Sequence, residues 1–111
     1  DHRKKLEEPT EIACPNCGHT ATHHDRVEIF YRAEDAPTGV HVVQEAGRVA
    51  IDDRFDDNPS ERRGGVSIRF WCEGCHVRFT LCIAQHKGAS QTFVSYDPDV
   101  RIQFPDECVP E

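Results

Sequence analysis

Alternation of apolar and more polar residues with a period of two predicts β-strands in several parts of the chain. The clearest cases are the segments 66–71 and 77–83, which are separated by only five residues. Two further segments, 27–32 and 92–96, are rich in β-branched and aromatic residues and are bounded by turn-forming residues. The pattern therefore predicts a mainly β protein whose strands are joined by short connections.

The segment 40–51 has two interpretations. Two β-rich runs, 40–44 and 49–51, flank a turn that contains Gly47, and this arrangement predicts a β-hairpin. A helix over 42–55 is the alternative, because several apolar residues partly fit a period of 3.6. We favour the hairpin, since a central glycine weakens a helix and β-branched residues prefer strands.

The length of 111 residues predicts one domain. We expect a charged N-terminal arm at 1–10, a β domain at 11–97 and, at 98–111, a proline-containing tail or an edge segment of the sheet. Within the domain, paired aspartates, an Asn-Pro-Ser sequence and two glycines predict an exposed acidic loop at about 52–65. No apolar run approaches the ~18 residues that span a bilayer, and the charged start differs from a secretory signal. We therefore expect a cytoplasmic protein without membrane contact.

Two cysteine pairs provide the strongest chemical signal, Cys14-Pro15-Asn16-Cys17 and Cys72-Glu73-Gly74-Cys75. Two residues between the cysteines allow each pair to wrap one ion while backbone N–H groups point at the sulfurs. Together the pairs supply four soft ligands, the set that a tetrahedral structural Zn²⁺ site requires. The two remaining cysteines, Cys82 and Cys108, are expected to be a small buried residue and an exposed thiol.

The segments Cys14-Pro15-Asn16-Cys17-Gly18 and Trp71-Cys72-Glu73-Gly74-Cys75 resemble the zinc-ribbon family, in which two knuckles at the ends of β-hairpins hold one zinc. The resemblance implies a single-domain antiparallel zinc ribbon. The 54 residues between Cys17 and Cys72 imply an inserted β-hairpin. His76 stands where the family often has a glycine. The family includes transcription factors, ribosomal proteins and enzymes, so it implies a metal and a fold but no particular activity.

The ligand set argues against catalysis at the metal. Four thiolates fill the coordination shell of zinc, whereas a catalytic zinc keeps one position open for water. We therefore expect no enzymatic activity. A rubredoxin-like iron or redox protein is a further alternative, because iron and zinc share this tetrathiolate geometry.

The charge of the chain bears on its partners. The formal net charge is −7, which disfavours general binding to nucleic acid and favours a protein partner for an adaptor or regulator. One local exception provides an alternative nucleic-acid face, in which guanidinium groups would contact phosphates and an indole would contact bases. Its residues are Arg62, Arg63, Arg69, Trp71 and Arg78. In the competing interpretation, Trp71 covers the metal site and the arginines balance the charge of the thiolates.

Overall fold

The computed structural model describes residues 9–101, with side chains up to Asp99, and contains one six-stranded antiparallel sheet. The strands are β1 (Thr22–Tyr31), β2 (Val40–Glu45), β3 (Arg48–Asp52), β4 (Gly65–Cys72), β5 (Val77–His86) and β6 (Ala89–Arg101). Their order across the sheet is β3-β2-β1-β4-β5-β6. The predicted mainly β, antiparallel, single-domain fold is confirmed.

The predicted hairpin is formed by β2 and β3, which excludes the alternative helix. The two strands pair from His41–Asp52 to Glu45–Arg48. Ala46 and Gly47 form the two-residue turn with φ values of 54° and 77°. Positive φ at both turn positions matches the right-handed twist of the flanking strands, and glycine adopts it at little steric cost.

The last strand extends beyond the segment 92–96 that the alternation predicts. β6 continues to Arg101, so residues 98–101 form an edge segment of the sheet, the second of the two predicted alternatives. Pro98 is tolerated because β6 is an edge strand whose pairing with β5 is irregular between Tyr96 and Arg101. Residues 1–8 of the predicted arm and 102–111 of the predicted tail lie outside the described residues.

The acidic segment between β3 and β4 has no regular strand, as predicted, but it packs against the sheet. The hydroxyl of Ser60 is buried and donates a hydrogen bond to the carbonyl of Gln85 over 2.8 Å. The Phe55 ring meets the Phe30 ring edge to face, with centroids 5.8 Å apart. The loop therefore covers part of one face of the sheet.

The best-buried core lies at one end of the sheet. Phe70 in β4 and Phe79 in β5 are directly paired, and their rings stack with centroids 5.1 Å apart. The cluster is completed by Cys14, Cys72 and Val77. The N-terminal segment that contains Cys14 thus closes this end of the sheet. Within residues 9–101, no helix has the length and apolar character that crossing a bilayer requires.

Candidate metal centre

The first cysteine knuckle precedes β1. The backbone N–H of Gly18 donates to the carbonyl of Cys14 over 2.9 Å, and the N–H of Cys14 donates to the carbonyl of His19 over 2.9 Å. The N–H of Asn16 points at the Cys14 Sγ from 3.4 Å. Gly18 closes the turn with a φ of 80°, in the region where a side chain is strained.

The second knuckle joins β4 to β5 and repeats this arrangement. The N–H of His76 donates to the carbonyl of Cys72 over 2.9 Å, and the N–H of Gly74 points at the Cys72 Sγ from 3.3 Å. His76 has a φ of 64°, so it follows the backbone path that a glycine would follow more easily. The histidine that departs from the zinc-ribbon pattern therefore does not disrupt the knuckle.

The structure brings all four predicted cysteines together, with their Sγ atoms within 4.8 Å of one another. The Sγ atoms of Cys14 and Cys75 are 3.6 Å apart, as are those of Cys17 and Cys72. These separations are far longer than the ~2.05 Å of a disulfide bond. They approach the ~3.8 Å edge of a tetrahedron whose centre lies ~2.3 Å from each sulfur. One tetrahedral metal ion therefore fits among the four thiolates.

The surroundings of the sulfurs give Cys75 and Cys17 different pKa values. Burial opposes ionisation of Cys75, but hydrogen bonds from the Asn16 amide and the Val77 N–H outweigh it and lower its pKa to about 6. At Cys17, a hydrogen bond from the His19 backbone acts to lower the pKa. Partial desolvation and the hydrogen bonds with the neighbouring thiols outweigh it and raise the pKa of the exposed Cys17 to about 11. Four thiolates this close repel one another, so a cation is needed to hold all four deprotonated.

The histidines near the knuckles lie outside the sulfur cluster. Within the described residues, the only group of three or more potential ligands contains Cys14, Cys17, Cys72 and Cys75. His19 instead accepts the N–H of Ala21 on its Nδ1 atom over 3.0 Å. Its ring also lies so close to Gly74 that an added Cβ there would be 3.2 Å from it. His19 therefore packs the first knuckle against the second.

The five residues of the predicted nucleic-acid face occupy two places. Arg69, Trp71 and Arg78 share one face of the sheet, where Trp71 lies directly opposite Arg78. Arg62 and Arg63 lie before β4, in the acidic loop. All four arginines are ion-paired: Asp25 contacts both Arg69 and Arg78, Asp35 contacts Arg62, and Glu34 contacts Arg63.

Trp71 is largely buried, with 9% of its surface exposed. One face of its indole stacks on the His23 ring, with centroids 4.5 Å apart, and His23 in turn contacts Glu73. The indole therefore presents little free surface to a nucleic-acid base.

Sequence reasoning missed three groups of side chains that organise the site and the charged face of the sheet. Asn16 contacts the Cys75 Sγ from 3.5 Å, and its position inside the first knuckle was the available signal. Asp25 lies at an irregularity in the pairing of β1 with β4, which no sequence pattern indicated. The third group consists of the buried His41 and its two carboxylate partners, the half-buried Glu28 and the exposed Asp52.

Comparisons with known proteins add no assignment, because no protein-family model, curated protein or solved structure matches this chain. Functional inference therefore depends on the geometry of the sulfur cluster and of the surfaces around it.

Proposed function

We propose that this protein is a non-enzymatic zinc-ribbon module whose single Zn²⁺ is structural. The supporting observation is the convergence of the four Sγ atoms of Cys14, Cys17, Cys72 and Cys75 within 4.8 Å. Zinc would connect the segment before β1 to the β4–β5 turn. Because the unfolded chain does not hold these sulfurs together, the free energy of binding would add to the free energy of folding.

Elemental analysis of the purified protein tests the identity of the metal. We expect one zinc per chain and a colourless solution, because zinc has a filled d shell. A red protein containing iron would instead support the rubredoxin-like alternative. A protein that contains no metal and cannot bind added zinc would contradict the proposal.

Replacement of a ligand tests whether the metal is structural. Cys72→Ser is expected to lose zinc and to melt at a lower temperature, as wild type should after treatment with a chelator. Cys82→Ser is the matched control, because Cys82 is also buried but lies outside the sulfur cluster. It should retain one zinc. An unchanged melting curve after complete removal of zinc would show that the metal does not support the fold.

We further infer that the module acts by binding a protein. The net charge of −7 disfavours a polyanionic partner, and the arginines suggested for phosphate contact are already paired with carboxylates. The face that carries Arg69 and Arg78 presents both signs of charge, which is better suited to a mixed protein surface than to a phosphate backbone.

Titration with labelled oligonucleotides at low salt separates a protein partner from the nucleic-acid alternative. Fluorescence anisotropy should show no saturable binding to single-stranded or duplex DNA or RNA. Binding that weakens steeply with salt and is lost in the Arg69→Ala/Arg78→Ala double variant would establish the alternative instead.

A further inference from the structure

One face of the sheet is apolar across all six strands. The strand register aligns one residue from each strand in a row across this side, which we call the apolar face: Ile51, Val42, Ile29, Val66, Ile83 and Thr92. The neighbouring row includes Leu81 and Val94, which are paired with each other. At the metal end, the segment around Cys14 covers this face, and Phe70 and Phe79 are buried there.

Away from the metal end, the apolar face is open. The exposed fraction is 70% for Ile51 in the edge strand β3 and 47% for Val94 in the other edge strand, β6. It is 72% for Tyr31 at the end of the central strand β1. A sheet with one apolar side normally buries that side against a second layer of structure. Apolar areas larger than a few hundred Å² are uncommon on monomers and mark sites of interaction.

The apolar face also lacks charge. Between the Phe70–Phe79 pair and the Val66–Ile83 pair, the described strand residues on this side include no Asp, Glu, Lys or Arg. The other side carries the ion pairs of Asp25, Arg69 and Arg78. In a chain with a net charge of −7, two copies can therefore approach through this face without placing like charges in contact.

We propose that a second copy of this chain covers the apolar face, so that two sheets pack face to face as a β-sandwich around a twofold axis. A twofold contact brings the same patch from both copies together, and an uncharged apolar patch is complementary to itself. Two stacked sheets lie ~10 Å apart, with side chains from both inner faces between them.

The size of the face suits such a dimer. Six strands ~4.8 Å apart, with about four residues each on the open stretch, cover roughly 400 Å² in projection. Because side chains make this surface uneven, its accessible area is on the order of the ~800 Å² that each subunit buries in a standard interface.

Sedimentation equilibrium over a wide range of protein concentrations tests the proposal on the full chain. Wild type should approach twice the chain mass of 12.6 kDa. Val94→Glu should weaken dimerisation at least about a hundredfold, because a buried unpaired carboxylate in an apolar interface is strongly unfavourable. The matched control is Phe93→Glu. Phe93 precedes Val94 in β6 and has a similar exposed fraction of 46%. It pairs with Cys82 and lies on the opposite face of the sheet.

A second pair of variants, at neighbouring positions of β3, repeats the test at the other edge of the sheet. Ile51→Glu should disrupt the dimer, and Ala50→Glu should not, because Ala50 pairs with Val43 on the opposite side. Zinc content and circular dichroism of each variant separate loss of dimerisation from loss of the metal or the fold. A wild-type monomer at every concentration would overturn the proposal. A dimer that responds to Phe93→Glu and Ala50→Glu instead would overturn it as well.

Discussion

Gly18 and His76 occupy equivalent positions in the two cysteine knuckles. Each residue directly follows the second cysteine of its pair and donates its backbone N–H to the carbonyl of the first cysteine over 2.9 Å. Both have left-handed φ values, 80° for Gly18 and 64° for His76. The two knuckles therefore share one backbone path, although only one of them has the residue that adopts this path without steric cost.

Gly18→Ala should lower the free energy of unfolding by about 1 kcal/mol, because alanine is strained at positive φ. The added methyl group would have no atom within 4 Å, so steric crowding does not contribute. Chemical denaturation of the zinc-bound protein measures the change. The reciprocal variant His76→Gly relieves the same backbone strain, so its free energy of unfolding should fall by less than that of Gly18→Ala. An equal or larger loss would contradict this explanation.

Asn16 provides a test of the support around the sulfurs. Its side-chain amide lies 3.5 Å from the Cys75 Sγ and favours the thiolate that binds a metal. Asn16→Ala should weaken zinc binding about tenfold, as expected for the loss of one outer hydrogen bond. Competition with a chromophoric chelator measures the affinity. The control is Asn58→Ala in the acidic loop, where the amide donates to the Arg63 carbonyl. Equal affinities for both variants would remove this role of Asn16.

Asp25 is expected to be the most important carboxylate of the charged face. Its two oxygens accept hydrogen bonds from Arg69 over 2.9 Å and from Arg78 over 2.7 Å. Burial opposes ionisation of Asp25, but these two guanidinium groups outweigh it and hold its pKa below the ordinary value. Its contribution is therefore present above the unfolded pKa of ~3.9 and is lost as the pH falls through the lower folded-state value.

Asp25→Asn should lower the free energy of unfolding at neutral pH by about 1–3 kcal/mol, because two partly buried arginines lose a charged partner. Thermal and urea denaturation measure the effect. Asp35→Asn should have a smaller effect, since the ion pair of Asp35 with Arg62 is exposed to solvent. An equal effect of the two substitutions would show that burial does not distinguish these pairs.

His41 is expected to make stability depend on pH. Its Nδ1 atom is 2.7 Å from Asp52 and its Nε2 atom is 3.0 Å from Glu28, while its ring stacks on Phe30 with centroids 4.4 Å apart. Burial of the ring acts to lower the pKa of His41, but hydrogen bonds and charge from the two carboxylates outweigh it and raise that pKa above 6.5. The other ionisable groups around the same depression are Arg26, Arg54, Asp56 and Asp57.

The sign of the pH dependence follows from the raised pKa. The stabilisation by protonated His41 is fully present below the unfolded pKa of ~6.5 and is lost as the pH rises through the higher folded-state value. Denaturation at a series of pH values should show this decline in wild type but not in His41→Gln. His86→Gln, which replaces an exposed histidine at the end of β5, should keep it. An imidazole titration by NMR with a midpoint below 6.5 would contradict the prediction.

The local features of this protein could be predicted from its amino-acid sequence. Alternating apolar residues define a strand within a few positions, which is why the segments 66–71 and 77–83 were recognised. The hairpin turn could be predicted because the requirement for positive φ at Gly47 is local. The four cysteine ligands could also be predicted, since each pair needs only two intervening residues to direct both sulfurs at one ion.

The order of the strands in the sheet, and therefore the contacts of their side chains, could not be predicted from local sequence patterns. Alternation assigns residues to one side of a strand, but it does not reveal that β1 lies between β2 and β4. The partners of Arg69 and Arg78 depend on that order, because Asp25 is more than forty positions away in the chain. The open apolar face is likewise a property of the assembled sheet, since six separate strands must align before their uncharged sides form one surface.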